Sequence, residues 1–190
     1  AGDPRKNLHR LIEAYSNLDP ILMIRHKLVL AGRLLIEEEN LIKQLLKTKL
    51  IPADYVVFLG YVSDIDLVKL YTECYLFVFP SLHEGFGLPV LEAMTCGAAV
   101  IASNTSSIPE IINNENYTFN PLSIDDIHDL LNKSLTNHDF YNNLKLNSLS
   151  RKHFFSWKDT AHKAMKSMNN IIQHSNKSNP KSLKSYNLCS

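Results

Sequence analysis

The stretch YLFVFPSLHEGFGLPVLEAMTCGAAVIAS, residues 75–103, reads as a strand, a loop, a helix and a second strand. The apolar run at 75–80 closes on Pro80, and "AAVIAS" at 98–103 is the second strand. Between them the pattern predicts a helix from about Pro89 to Cys96. Pro89 suits the first turn, where its missing N–H costs nothing, and Gly97 suits the position just past the end. Two apolar strands joined through a helix on short connections are the unit of a parallel sheet.

Working outward, the same alternation continues. "KLVLAG" (27–32) and "YVVFLG" (55–60) read as two more strands, each ending on glycine, and "NYTFNP" (116–121) as a weaker fifth. "IEEENLIKQLLKTKL" carries acids at its start and lysines at its end, matching a helix dipole, and "SDIDLVKLYTEC" opens on Ser63, a plausible N-cap. Near the beginning, Leu8, Leu11, Ile12 and Tyr15 give a helical stripe directly after a turn. A helix that starts so abruptly usually follows a strand, so a strand upstream of residue 1 is expected. From residue 123 the chain is helical, with Ser123 and Ser156 as N-caps. "HSNKSNPKSLKSYNLCS" is polar and predicted to be disordered. The expected organisation is one domain over 1–172 and a polar tail over 173–190.

The strands are nearly continuous apolar runs, as when helices cover both faces of a parallel sheet. The fold class is therefore α/β, Rossmann-like, with ligands expected beyond the carboxyl ends of the strands. All six glycines fall at or before residue 97, and Gly32, Gly60, Gly85 and Gly87 lie at or just past strand ends on that edge. At Gly32 and Gly60 a tight turn explains the residue equally well.

Composition narrows the class. With 190 residues, 45% hydrophobic and 21% charged, the chain matches an ordinary globular protein. A formal net charge of +1 advertises neither nucleic acid nor a membrane surface. The three cysteines have no metal spacing, and Cys74 and Cys96, in apolar surroundings, read as small buried apolar residues, consistent with a reducing compartment. The eight histidines form no ligand pair, so no metal and no cofactor are expected.

The loop at 83–88 carries the chemistry. Gly85, Phe86 and Gly87 precede a helix N-terminus, where exposed amides and the dipole favour an anion. Glu92 falls about one turn into that helix and Glu84 comes from the loop. Carboxylates accept hydrogen bonds from vicinal hydroxyls, so acids around an anion site suggest a ligand with both hydroxyls and phosphates. A nucleotide sugar is such a ligand. The bland reading stands beside it: Glu92 as a helix-start acid, Glu84 as a solvated loop residue, and His83 without a partner.

"PSLHEGFGLPVLEAMTCGAAVIAS" resembles the glutamate-x-seven-glutamate signature of retaining glycosyltransferases of GT-B fold, family 4. "DPRKNLHRLIEAY" is similar to that family's opening turn and helix, "VVFLGYVSDIDLVKLYTECYLFVFPS" to its next block, and "FSWKDTAHKAMKSM" to its closing helix. The likeness covers nearly all of residues 3–172. One departure is the segment "NTSSIPEIINNENYTFNP", which has no glycine where the family often does, though Pro109-Glu110 keeps the common pair.

The resemblance implies the C-terminal, donor-binding half of a two-domain enzyme, with the first strand and the acceptor domain absent. It implies that Glu84 accepts hydroxyls of the donor sugar, and that Gly85, Phe86, Gly87 and Leu88 present the amide-lined loop. Glu92 is implied to hold the ribose hydroxyls, and Lys6, with Arg5 beside it, to reach the diphosphate. Gly60 and Tyr61 would lie by the nucleobase. The implied catalytic pair is Glu84 and Lys6, moving a sugar to an acceptor hydroxyl with retained configuration, by double displacement or by a same-face course. The implied partners are a nucleotide-sugar donor and a carbohydrate or glycolipid acceptor, with no nucleic acid. A cytoplasmic place near the inner membrane and a product in cell-surface polysaccharide, lipopolysaccharide or glycolipid are expected by analogy. The alternatives are a non-catalytic nucleotide-sugar binding module and a GT-B-fold epimerase.

Overall fold

The computed structural model describes residues 3–178. The chain divides into one unit that ends at Lys152 and a second that begins at His153. In the first unit a short 3-10 turn, Pro4–Lys6, leads into α1 (Leu8–Ser16), α2 (Pro20–Arg25), β1 (Leu28–Ala31) and α3 (Ile36–Thr48). There follow β2 (Val56–Gly60), α4 (Asp64–Glu73), β3 (Leu76–Phe79), α5 (Leu88–Thr95) and β4 (Ala99–Ser103). The unit closes with α6 (Ile108–Ile112), β5 (Thr118–Phe119), α7 (Ile124–Thr136) and α8 (His138–Arg151).

Several of the helices start where a side chain satisfies a free amide. Ser63 accepts from the Asp66 N–H at 3.2 Å and Ser123 from the Asp126 N–H at 3.1 Å, both as read from sequence. Gly97 sits at φ +82° just past α5, the left-handed position expected there. Two helices escape the sequence reading, α2 and α6, each too short for periodicity to show. The local signal was present: Asp19 caps the Ile21 N–H at 2.7 Å with Pro20 at the first turn, and Pro109 lies in the first turn of α6, which has no side-chain cap.

All strand pairing is parallel, in the order β1-β2 in one ladder and β3-β4-β5 in another. The expected single sheet is thus hydrogen-bonded in two pieces, with β1 and β3 unpaired to each other. The strand ends nonetheless meet, since His26 and Tyr75 place their ring centroids 4.5 Å apart. The consequence is exposure. β4, flanked on both sides, buries all five residues, whereas Val29 of β1 is 45% exposed. The core lies around β4, with α8 against the strand, α5 packed on both, and α1 on α7. Ile12, Met94, Ile101, Ile108, Ile111, Ile112, Ile127 and Leu144 are fully buried in it.

The second unit contains α9 (Trp157–Ser178). Ser156 accepts from the Asp159 N–H at 3.3 Å, the cap read from sequence. The helix runs to Ser178, past the predicted start of the polar tail at residue 173. Once nucleated, a helix extends by one hydrogen bond per residue even through middling formers such as Ser and Asn. Residues 179–190, the rest of the predicted tail, lie outside the described residues. Among the described residues no helix is long and apolar enough to cross a membrane.

Candidate functional site

Asn7 sets the geometry of the site from below. It holds a left-handed backbone, φ +56°, between the opening turn and α1, and is buried. Its amide donates to the Pro80 carbonyl at 3.1 Å and to the Pro121 carbonyl at 2.7 Å, while Arg10 donates to its oxygen at 2.9 Å. These bonds tie the opening turn to the ends of β3 and β5. The Leu82 N–H then donates to the Arg5 carbonyl at 2.7 Å, and the Ser81 hydroxyl oxygen lies 3.2 Å from that carbonyl. Held in this way, the turn delivers Lys6 to the loop after β3.

There Lys6 Nζ donates to Glu84 Oε1 at 2.6 Å, and the buried Ser81 Oγ donates to the same oxygen at 2.7 Å. The side chains of Lys6 and Glu84 are 31% and 17% exposed, so water screens the pair only partly. Burial alone would raise the Glu84 pKa. The bonds from Lys6 and Ser81 and the charges of Lys6 and Arg5 outweigh it and hold the carboxyl below its usual range. Lys6 also stands over the Phe79 ring, 5.2 Å from its centroid.

Arg5 behaves differently from its neighbour. Its guanidinium turns to Asp3, at 2.5 Å, and is well exposed. That bond and the neighbouring backbone hold the Asp3 carboxyl down to about 2.

Gly87 caps α5 at φ +96° with no side chain bonded across the helix start. A Cβ there would stand 3.1 Å from Ile111 Cδ1, so both conformation and packing require glycine. Around Gly85 a Cβ would meet nothing within 4 Å. The loop is stapled from the segment after β4: Ser107 Oγ donates to the Phe86 carbonyl at 2.7 Å, and the Glu84 N–H donates to Ser106 Oγ at 3.3 Å. Ser106 Oγ also lies 2.9 Å from His83 Nδ1, the partner that the sequence reading left unassigned. Phe86 and Leu88 are exposed beside the helix start.

Glu92, exposed on α5, accepts from the Tyr71 hydroxyl at 3.2 Å. Tyr71 is buried and meets Phe77 edge-on at 5.2 Å, and Phe77 lies 6.1 Å from Phe79. Phe77 and Phe79 share one face of β3 by strand alternation. Both carboxylates therefore lead back to that face, Glu84 through Lys6 and Glu92 through Tyr71. Gly60 ends β2 at φ +65°, and Tyr61, 71% exposed, lies under Arg33 at 5.3 Å. Tyr61 lines a hollow of about 320 Å³ with Leu59, Val62 and residues of α4, apart from the Lys6–Glu84 cluster.

Asn7, Ser81, Tyr71, Ser106 and Ser107 were missed from sequence. Asn7 and Ser81 directly adjoin Lys6 and Pro80, but the contacts that tie them across the fold, to Pro80, Pro121 and Arg5, reach 73 or more residues along the chain.

The profile of the family described as "Glycosyl transferases group 1" matches residues 1–151. The serotype-specific mannosyltransferase WbdA of Escherichia coli is 44% identical over 173 residues, 91% of this chain and 21% of that protein. O-antigen chain mannosyltransferase B of Escherichia coli is 35% identical over 157 residues, 83% of this chain and 41% of its own length. The chain thus spans well under half the length of these relatives. Among solved structures, Anabaena Alr3699/HepE in complex with UDP and glucose superposes with a TM-score of 0.76 at 21% identity, covering 88% of this chain and 46% of that one. Sucrose-phosphate synthase from Thermosynechococcus elongatus gives 0.77 at 23% identity, covering 90% and 44%. The fold is an α/β Rossmann-like parallel-sheet domain resembling one half of a GT-B glycosyltransferase.

Proposed function

Because the chain belongs to the glycosyl transferases group 1 family, we propose that it is the donor-binding half of a retaining glycosyltransferase. In this reading it moves a sugar from a nucleotide diphosphate sugar to an acceptor hydroxyl. The observation that carries it is the meeting of Lys6 and Glu84, 78 residues apart in sequence and 2.6 Å apart in space, on the loop that leads to the uncapped start of α5.

Departure of the nucleotide builds negative charge on the β-phosphate, and the Lys6 ammonium with the α5 amides is suited to stabilise it. The Lys6 and Ser81 bonds both fall on Oε1 of Glu84, and Oε2 then accepts from the donor sugar. A carboxylate held below its usual pKa is a weak base, so Glu84 binds hydroxyls rather than taking their protons. Glu92 accepts from the ribose hydroxyls. Gly85, Phe86, Gly87 and Leu88 border the diphosphate, with Gly60 and Tyr61 toward the nucleobase. Arg5, engaged with Asp3, acts through charge at a distance.

The relatives named as mannosyltransferases support mannose as the sugar transferred. The word O-antigen in one of those names supports a cell-surface polysaccharide as product. The acceptor is held by a second domain, consistent with the share of its relatives that this chain spans.

The test is a transfer assay of the full-length protein with nucleotide-diphosphate mannose, together with calorimetric donor binding. Glu92→Ala is expected to weaken donor binding, and Glu84→Gln to lower turnover. Unchanged affinity and unchanged rate would remove the reading. Donor binding without any product, in the unaltered protein, would favour a non-catalytic binding module instead.

A further inference from the structure

Glu92 stands on the surface of α5, and a glutamate there ordinarily samples several rotamers about its free torsions. Here one oxygen is engaged, by a hydroxyl from a different helix. Tyr71 lies 21 residues earlier on α4, is only 6% exposed, and has its ring fixed edge-on against Phe77 at an interplanar angle of 87°. The position of its hydroxyl is set by packing rather than by the ligand. It donates to Oε2 of Glu92 at 3.2 Å, and among the described residues no other partner is recorded for that carboxylate.

We propose that Tyr71 is a positioning residue that aims Glu92, so that the carboxylate is already set to accept the two ribose hydroxyls of a nucleoside diphosphate. The assignment rests on the ribose role given to Glu92 above. A carboxylate has about four lone-pair sites, and Tyr71 uses one, leaving acceptor capacity for a vicinal diol. The hydroxyl is protonated near neutrality and gives that proton to the Glu92 carboxylate as a hydrogen bond. Burial, and then the adjacent Glu92 charge, push its pKa upward, so it keeps its proton. Fixing the acid beforehand removes an ordering cost at the moment of binding. The competing reading is that Glu92 merely satisfies a buried phenol, with no consequence for ligand choice.

The two readings separate on ribose discrimination. The full-length protein is titrated calorimetrically with GDP, UDP and ADP, and the tightest of these is compared with its 2′-deoxy form. The unaltered protein is expected to favour the ribose form by about tenfold, the worth of one hydrogen bond to a charged group. Glu92→Gln should largely erase the preference. Tyr71→Phe should cut it to roughly two- or threefold, by loosening one acceptor and not removing it, while affinity for the deoxy form holds. Tyr71→Phe keeps the ring in its packed place and strips a hydroxyl whose partner is exposed, so folding is preserved.

An intact preference in Tyr71→Phe, or an equal weakening of both forms, overturns the proposal and leaves the Glu92 reading standing if Glu92→Gln has erased the preference. A preference that survives Glu92→Gln overturns the ribose role itself, and the proposal with it. Failure of all three diphosphates to bind the unaltered protein overturns both.

Discussion

Lys6 and Arg5 are adjacent and equally charged, yet they occupy different roles. Lys6 reaches Glu84 across the fold, whereas Arg5 is spent on Asp3, two positions away. Lys6→Ala is therefore expected to reduce turnover of the full-length protein by about a hundredfold, the scale of losing one group that stabilises developing charge. Arg5→Ala should cost far less, and equal losses in steady-state assays would contradict the division. The depressed Glu84 pKa carries its own prediction. A carboxyl whose folded value lies below its unfolded value contributes stability that is complete above the unfolded value, about 4.3. That contribution is lost as pH falls through the depressed folded value. The stability difference between the unaltered protein and Glu84→Gln, from urea unfolding, should stay level from neutral pH to about pH 5 and shrink below it.

Among the elements, α5 and its entry loop hold the site. Gly87 adopts φ +96° and abuts Ile111, while Gly85 faces open space. Gly87→Ala is expected to destabilise the fold by about 1–3 kcal/mol, through strain and the displaced Ile111. Gly85→Ala should leave unfolding unchanged and act, if at all, on donor affinity. Thermal melts of the two variants check the contrast, and equal loss would contradict it. The helix itself was readable, since Pro89 marks its start and Gly97 its end. What stabilises the loop before it was not. Ser106 and Ser107 come from the segment after β4, and nothing in the order of the chain says that two serines there will bond to residues 84 and 86. Polar side chains in a loop take whatever partners the packing brings within reach.

At the scale of the molecule, the first unit is a parallel α/β fold whose tightest packing surrounds β4, with the site at the carboxyl end of the neighbouring β3. A ligand that binds this folded unit stabilises it by mass action. A nucleoside diphosphate at a hundred times its dissociation constant should add about 2.7 kcal/mol, seen as a rise in the melting temperature of several degrees. No rise with GDP, UDP or ADP, at concentrations where calorimetry shows binding, would mean that the ligand is held equally by the unfolded chain. The alternation of strands and helices was legible because burial on both faces demands continuous apolar runs. The break between β1 and β3 was not, because neither strand's composition differs from that of a paired one.

The sequence by itself determined the strands and the longer helices, the serine caps of α4, α7 and α9, and the glycine- and acid-bearing loop of the candidate site, since these follow from local periodicity and from turn chemistry within a few residues. Only the tertiary structure decided that Lys6, rather than Arg5, meets Glu84, that Ser81 shares the same oxygen, and that the Tyr71 hydroxyl reaches Glu92. Those pairings span 78, 3 and 21 residues. The long ones are set by the Asn7 clamp and by the aromatic face of β3, which exist once the chain has folded and leave no periodic trace before it.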